Sequence, residues 1–259
     1  ANVDRRGIDR AVAAAYELPR VTDCADLDAL VRGVSPPSDD AGRAQATSVR
    51  ETLSRSERVM DAGRVKEALQ LAEAAVPLAE QTHYPPLLAE AKLVLGRVYH
   101  RAARTKDAEA AFQEAELLAE EIGYDRVRAE AWVGVTKLLA TSSSRFEDAR
   151  TSARRAKAAI KRIGGDAELT VECETSEAQM LVQEGENEKA LARFVNAERD
   201  YVQATSPENR QPLKHINLLE KMAYVHVAQG RHQPELELFR RAQTMAEAAL
   251  GDGHPSTVE

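Results

Sequence analysis

Five segments of the chain repeat one small-large-small pattern at a nearly fixed interval. Each has a small residue, a filler four positions on, and a small residue three further. The sharpest copy is Ala108, Phe112, Ala115. Before it stand Ala68, Ala72, Ala75; after it come Ala149, Ala153, Ala156, then Ala190, Phe194, Ala197, then Glu235, Phe239, Ala242. The first position steps by 40, 41, 41 and 45 residues. A fixed period in this range is the mark of a solenoid, in which each unit buries its apolar face on the next. The spacing has a steric reading. The first small residue lets the two helices of a unit approach closely. The larger side chain plugs the gap, and the next small residue accepts the following unit's first helix. Glu235 departs from the rule, so the last unit is expected either to be looser there or to sit against something outside this stretch of sequence.

Composition supports helix almost throughout. Charged residues make up 30%, hydrophobic residues 43% and aromatics only 4%, a balance rich in good helix formers. The net charge of -7 argues against nucleic acid as the main ligand, because phosphate binding needs a basic face. Cys24 and Cys173 form no disulfide pattern and read as ordinary, half-buried reduced thiols. No run approaches the ~20 apolar residues of a membrane span. The charged start "ANVDRRGIDR" does not read as a signal peptide, so the cytoplasm is the expected compartment.

Along the chain, 8–18 and 24–32 read as short helices, with Asp9 and either Thr22 or Asp23 as caps and Gly33 as a stop. This short N-terminal segment is taken as 1–34. Pro36 and Pro37 interrupt helix, so 35–41 is expected to be a linker or hinge, and 42–259 the repeat array. First helices are expected near 42–61, 86–102, 125–141, 167–184 and 211–229. Second helices are expected near 64–82, 105–122, 146–163, 187–204 and 232–250. Gly63, Gly185 and Gly230 supply the positive φ of the turns within repeats one, four and five. Ala103 holds that place in repeat two, where a slightly different turn is expected. The third turn, "TSSSRF", should bulge. Gly123, Gly164, Gly165 and Gly251 close second helices, and "TSPENRQP" accounts for the longest step.

On these residues the repeat resembles the tetratricopeptide family. In "LAEAKLVLGRVYHRAARTKDAEAAFQEAELLAEE", Leu95, Gly96 and Tyr99 match the first-helix signature, and Ala108, Phe112 and Ala115 the second. The resemblance implies an all-α, tetratricopeptide-like α-solenoid: a right-handed superhelix of about five helix-turn-helix repeats preceded by a short helical segment. The ending "LGDGHPSTVE" is similar to an inter-repeat junction, so the array is expected to continue past Glu259. Trp132 is expected in the core. A narrower resemblance rests on "AVAAAYELPRVTDCADLDALV", the "PP" linker, "YPPLLAEAKLVLGRV", "DRVRAEAW" and "RIGGDAEL". It is to the region that follows the catalytic domain in myxobacterial-type serine/threonine protein kinases. That resemblance implies a regulatory or docking arm with a kinase domain in cis.

No catalytic signature stands in the chain. A glycine-rich phosphate loop, "HRD", "DFG" and "HExxH" are all missing from the sequence; "GGD" at 164–166 and "GDGH" at 251–254 read as turns. The histidines at 83, 100, 215, 226, 232 and 254 form no metal-binding pair; His226 and His232 read as exposed or packing residues. Glu116, Glu120 and Glu121 read as a solvated outer face with opposite charges at i,i+4. No catalytic residue, cofactor or metal is expected.

By the resemblance, first helices line a concave groove. The candidate partner-binding residues are Arg50 and Glu57, Glu90, Arg97 and Arg101, Lys137, Gln179, and Glu220, Lys221 and Tyr224. Arg97, Arg101 and Lys137 could engage an acidic or C-terminal carboxylate segment of a partner. The alternative is that they pair with Glu57, Glu90 and Glu130 across the groove. The Lys/Asn clamp of chaperone-binding relatives is not reproduced, since Gln179 stands where Asn is expected. The function expected is a non-catalytic protein–protein scaffold, the docking arm of a cytoplasmic serine/threonine kinase. The alternative is a tetratricopeptide arm of a transcription regulator. The partner expected is a protein or peptide, with neither nucleic acid nor membrane.

Overall fold

A computed structural model describes residues 34–141, 144–205 and 212–250. The helices expected over 8–18 and 24–32, Cys24, the 206–211 stretch and the "GDGH" turn lie outside the described residues. Ten helices are present among those described: α1 (Asp40–Asp61), α2 (Val65–Gln81), α3 (Pro85–Arg101), α4 (Thr105–Glu121), α5 (Asp125–Leu139), α6 (Phe146–Arg162), α7 (Ala167–Gln183), α8 (Asn187–Ala204), α9 (Pro212–Ala228) and α10 (His232–Leu250). Their ends fall within two residues of the expected ones. No described helix is long and apolar enough to cross a membrane. The described chain falls into two compact units, one up to Cys173 and one from Glu174 onward.

In the first unit, α1 starts where the sequence supplies a cap. The Asp39 side chain accepts from the Gly42 amide at 2.7 Å, satisfying one of the unpaired first-turn donors. The residues before it are not helical but are held in place. Arg43 donates to the carbonyls of Pro37 and Ser38, both at 2.8 Å, and the Tyr84 hydroxyl donates to the Ser35 carbonyl at 2.9 Å. Helix α3 opens on Pro85 and Pro86, where a missing N–H costs nothing.

In repeats one, two, four and five the turn within the hairpin carries one residue of positive φ. At Gly63 (φ 73) the Gly63 amide reaches the Met60 carbonyl and the Arg64 amide the Val59 carbonyl, which closes α1 as a Schellman turn. Ala103 corrects the expectation of a different turn. It adopts φ 58, and the amides of Ala103 and Arg104 reach the carbonyls of His100 and Tyr99 in the same pattern. The repeat geometry thus overrides the steric preference of an L side chain.

The expected alanines form the core. Ala68, Ala72, Ala75, Ala108, Ala115, Ala149, Ala153 and Ala156 are all buried in the first unit, as are Ala190 and Ala197 in the second. Phe112 is 2% exposed because two glycines admit it. A Cβ on Gly96 (α3) would meet its ring at 2.7 Å, and one on Gly134 (α5) at 2.6 Å. The plug of repeat two therefore seats against the backbones of its own first helix and of the next.

Three side chains depart from their expected places. Trp132 is only half-buried. Its indole donates to Glu116 at 3.2 Å, and the Arg155 guanidinium lies 4.6 Å from its ring centre. Glu116, expected on a solvated face, is 7% exposed. It accepts from Trp132 and from Arg128 (3.3 Å), and Arg128 also reaches Glu120 at 2.8 Å. The partner comes from the next helix rather than from i,i+4. Cys173 is wholly buried, its thiol 3.8 Å from the Ala153 carbonyl.

Buried hydroxyls link the two helices of repeats one and three. Ser56 donates to the Ala68 carbonyl at 2.7 Å, and the hydroxyls of Thr136 and Ser152 lie 3.0 Å apart. Each satisfies a polar group that burial would otherwise penalise.

In the second unit, α8 packs on α9 and α9 on α10. A polar cluster around buried His215 joins them. His215 is buried and its Nε2 lies 2.9 Å from Glu198 Oε1, an oxygen that also accepts from Arg241. The Tyr201 ring meets His215 edge-on at 6.1 Å. In the last hairpin Phe239 is half-buried, where Phe194 is fully buried.

Candidate docking face of the first helices

In the first unit the first helices α1, α3 and α5 touch in sequence. Because the repeat is 40 residues, side chains 40 apart stand side by side, and the chain places opposite charges there. Arg50 donates to both oxygens of Glu90, from Nε at 2.7 Å and Nη2 at 2.9 Å. The fork holds the guanidinium well above the ordinary arginine range, with the Glu90 hydrogen bond as the main cause. Tyr124 donates its hydroxyl to Glu90 at 3.2 Å, and burial followed by the Glu90 charge pushes its pKa up.

Arg97 bridges three repeats. Its Nη1 donates to Glu57 at 2.7 Å and its Nη2 to Glu130 at 2.6 Å. The side chain is 37% exposed. Burial works against its charge, but Glu130 and Glu57 outweigh it and hold the group ionised. Glu130 also pairs with Arg126, which reaches Asp166 at 2.7 Å. Asp166 in turn caps α7, accepting from the Leu169 amide at 2.9 Å. One charge chain thus runs Glu57, Arg97, Glu130, Arg126, Asp166 across the first-helix face. Such networks hold groups in place better than isolated surface pairs do.

Arg101 and Lys137, the other cations named from sequence, are exposed. Neither makes an ion pair or hydrogen bond among the described residues. Asp61 acts on Arg101 from the end of α1. Its carboxyl is held above the usual range by burial and then by Glu57, against the pull of Arg101 and Arg97. Both cations bear on His100, whose pKa is lowered first by burial, then by Lys137 and Arg101.

The remaining candidates lie in the second unit. Gln179 is half-buried on α7. Glu220 and Lys221 are half-buried neighbours on α9, and burial raises the Glu220 carboxyl. Tyr224 is 65% exposed, with its ring edge-on to Phe239 at 5.8 Å. Residues not singled out from sequence are Tyr124, Arg126 and Asp166. The signal that could have found the last two was their separation of 40.

No metal-binding group of three or more His, Cys, Asp or Glu occurs among the described residues. The arrangement offers charge-assisted hydrogen bonding on an open face.

No protein-family model matches the chain, and no curated protein matches it. Solved structures do. BtubC (BKLC) from P. vanneervenii is 18% identical with a TM-score of 0.64, over 96% of this chain and 94% of that one. The TPR-like repeats of a protein described as a kinesin light chain from Podosopora anserina are 14% identical with a TM-score of 0.56, over 78% of this chain and 96% of that one. A Rap protein solved in complex with competence and sporulation factor is 15% identical with a TM-score of 0.60; the match covers 78% of this chain and 52% of that one. At these identities the likeness establishes fold: the chain is an all-α, tetratricopeptide-like α-solenoid.

Proposed function

We propose that the chain is a non-catalytic protein-docking arm that receives a protein or peptide partner on its first-helix face. The observation that carries the reading is the i, i+40 alignment of polar side chains along α1, α3 and α5, which gives one chemically varied surface across packed helices. Loops or helix faces held by such a scaffold are where binding residues concentrate. The finer reading is that the arm belongs to a cytoplasmic serine/threonine protein kinase with its catalytic domain in cis. It draws support from the kinase-associated stretches, above all "AVAAAYELPRVTDCADLDALV" and "YPPLLAEAKLVLGRV".

Site-specific photocrosslinking tests the docking face. A benzophenone side chain at Glu90 or Lys137 is expected to capture a discrete protein that excess unlabelled chain competes away. The same group at Leu117, exposed on second helix α4, is expected to capture none. Equal capture at all three positions would refute the assignment. The kinase reading is tested by sequencing the reading frame that encodes the chain: "HRD" and "DFG" motifs in frame are expected, and a frame without them rejects it.

A further inference from the structure

Helix α6 is a strongly basic stretch in a chain of net charge -7. Between Ala149 and Arg162 it carries Arg150, Arg154, Arg155, Lys157, Lys161 and Arg162 and no acid. Helix α4, one repeat earlier, is the reverse: Asp107 and five glutamates stand on it, with Lys106 its one cation. Both helices belong to the first unit and both pack on α5 through short connections, so they run parallel. Arg145, which precedes α6, donates to Glu109 of α4 at 2.6 Å and sets the start of α6 beside α4. Residues 41 apart hold equivalent places on the two helices, as Ala108 and Ala149 do in the core. At the exposed places the sign of the charge inverts. Lys106 corresponds to Glu147, Glu114 to Arg155, Glu120 to Lys161 and Glu121 to Arg162, all of them exposed. Exposed Leu117 corresponds to exposed Ala158, large against small. Asp107 and Asp148 are the like-charged exception, and each is held by the arginine before its own helix, Arg104 at 2.7 Å and Arg145 at 2.8 Å. The side chains of Glu121 and Lys161 make no ion pair or hydrogen bond among the described residues. Glu114, Glu120 and Arg162 each have one partner within the chain, yet remain 53%, 53% and 56% exposed.

We propose that the outer faces of α4 and α6 form a self-complementary surface on which two copies of the chain pair about a two-fold axis. The axis runs along the helices, between α4 and α6. It sets α4 of one copy against α6 of the other, parallel and in the same register. Each inverted pair then becomes an opposite-charge contact, made twice because a two-fold interface repeats every contact. An axis lying across the helices in the same face would oppose α4 to α4, acid on acid, and charge disfavours it. A second copy is the occupant because the acidic counterpart at matching spacing stands on this chain itself, one repeat away. Exposed charge pairs are individually weak, so the dimer is weak and salt-sensitive. It uses none of the residues of the first-helix face.

Sedimentation equilibrium of the full chain over about 0.01–1 mM, at about 0.05 M salt, tests the pairing. A monomer–dimer equilibrium with Kd on the order of 0.1 mM is expected, weakening at least about tenfold in about 0.5 M salt. Lys161→Glu/Arg162→Glu sets acid against acid, and Glu120→Lys/Glu121→Lys sets base against base; each should weaken dimerisation at least about tenfold. The chain carrying all four substitutions keeps the net charge of -7 and restores opposite charges, so its Kd should return to within about threefold. The control Lys66→Glu/Lys189→Glu adds the same negative charge at exposed places on α2 and α8 and should stay within about twofold. Circular dichroism checks that every variant keeps its helix content. No dimer up to about 1 mM, equal loss in the control, or no recovery in the fourfold variant overturns the proposal. Assemblies that grow past the dimer overturn it too, since a two-fold pair closes. Photocrosslinking at about 1 µM chain lies far below that Kd, so Leu117 stays silent there, and capture at Glu90 that persists in both charge reversals leaves the first-helix reading standing whatever becomes of the dimer.

Discussion

Phe112 gives the sharpest test of how the repeats hold together. A methyl added at Gly96 would sit 2.7 Å from Phe112 Cδ1 and 2.8 Å from Cε1. Carbon atoms pack at about 3.5–4.0 Å, so the ring or the helix must yield by about 1 Å. The ring has little room, because it lies equally close to α5, where a Cβ on Gly134 would meet Cε1 at 2.6 Å and Cζ at 2.7 Å. Overpacking of this kind costs about 1–3 kcal/mol. Against it stands the gain of Ala over Gly inside a helix, about 1 kcal/mol. Gly96→Ala is therefore expected to destabilise by about 1 kcal/mol net. Phe112→Ala removes a buried ring and should cost about 3–5 kcal/mol, but it also removes the obstacle. In that background Gly96→Ala should stabilise by about 1 kcal/mol, so the same substitution changes sign. Urea unfolding followed by helical ellipticity reads all four proteins. The m-values need comparison, because repeat arrays can lose two-state behaviour. An identical effect of Gly96→Ala in both backgrounds would refute the packing argument.

Three further outcomes are expected. Ala103→Gly should raise the thermal midpoint, since it removes a left-handed strain of about 1 kcal/mol while keeping the turn bonds; a lower midpoint would contradict the φ of 58. Arg97→Met should cost less than about 1 kcal/mol after discounting for its partial exposure, with the loss shrinking in about 1 M salt; a salt-independent loss would mean that packing, not charge, carries Arg97. Glu198 is held below the ordinary carboxylate range, mainly by its hydrogen bond to His215. Its contribution is therefore present above the unfolded value and lost as pH falls through the lowered folded one. Glu198→Gln should destabilise at neutral pH by about 1–2 kcal/mol, and the gap to the unsubstituted protein should close in acid; a gap constant with pH would rule this linkage out.

Helix placement was legible because steric rules act locally. The glycine stops, the Pro85–Pro86 start and the alanine spacing each mark a feature within one or two turns. Ala103 was misread for a reason of energy rather than pattern. A left-handed alanine costs about 1–2 kcal/mol, and the packing of α3 on α4 can impose that where a propensity argument sees only the penalty. Trp132 and Glu116 failed together. Size suggested core for one and charge suggested solvent for the other, yet each supplies the other's partner at 3.2 Å. Neither hydropathy nor i,i+4 pairing could express that, because the two residues sit on successive helices.

The first-helix face carries the same lesson with a functional edge. Its residues were read from helical spacing on each first helix, but which charges are paired depends on neighbours one repeat away. Arg97 and Arg101 are one helical turn apart and look equivalent in sequence. The 40-residue register gives Arg97 a carboxylate on either side, Glu57 and Glu130. The same register sets Asp61 beside Arg101, half-buried and not engaged in an ion pair. One arginine is thereby absorbed into holding the repeats at their spacing, and the other is left with open donors. Freeing Arg97 would mean displacing two carboxylates already in place, so cations of the same kind differ in availability by their place in the register.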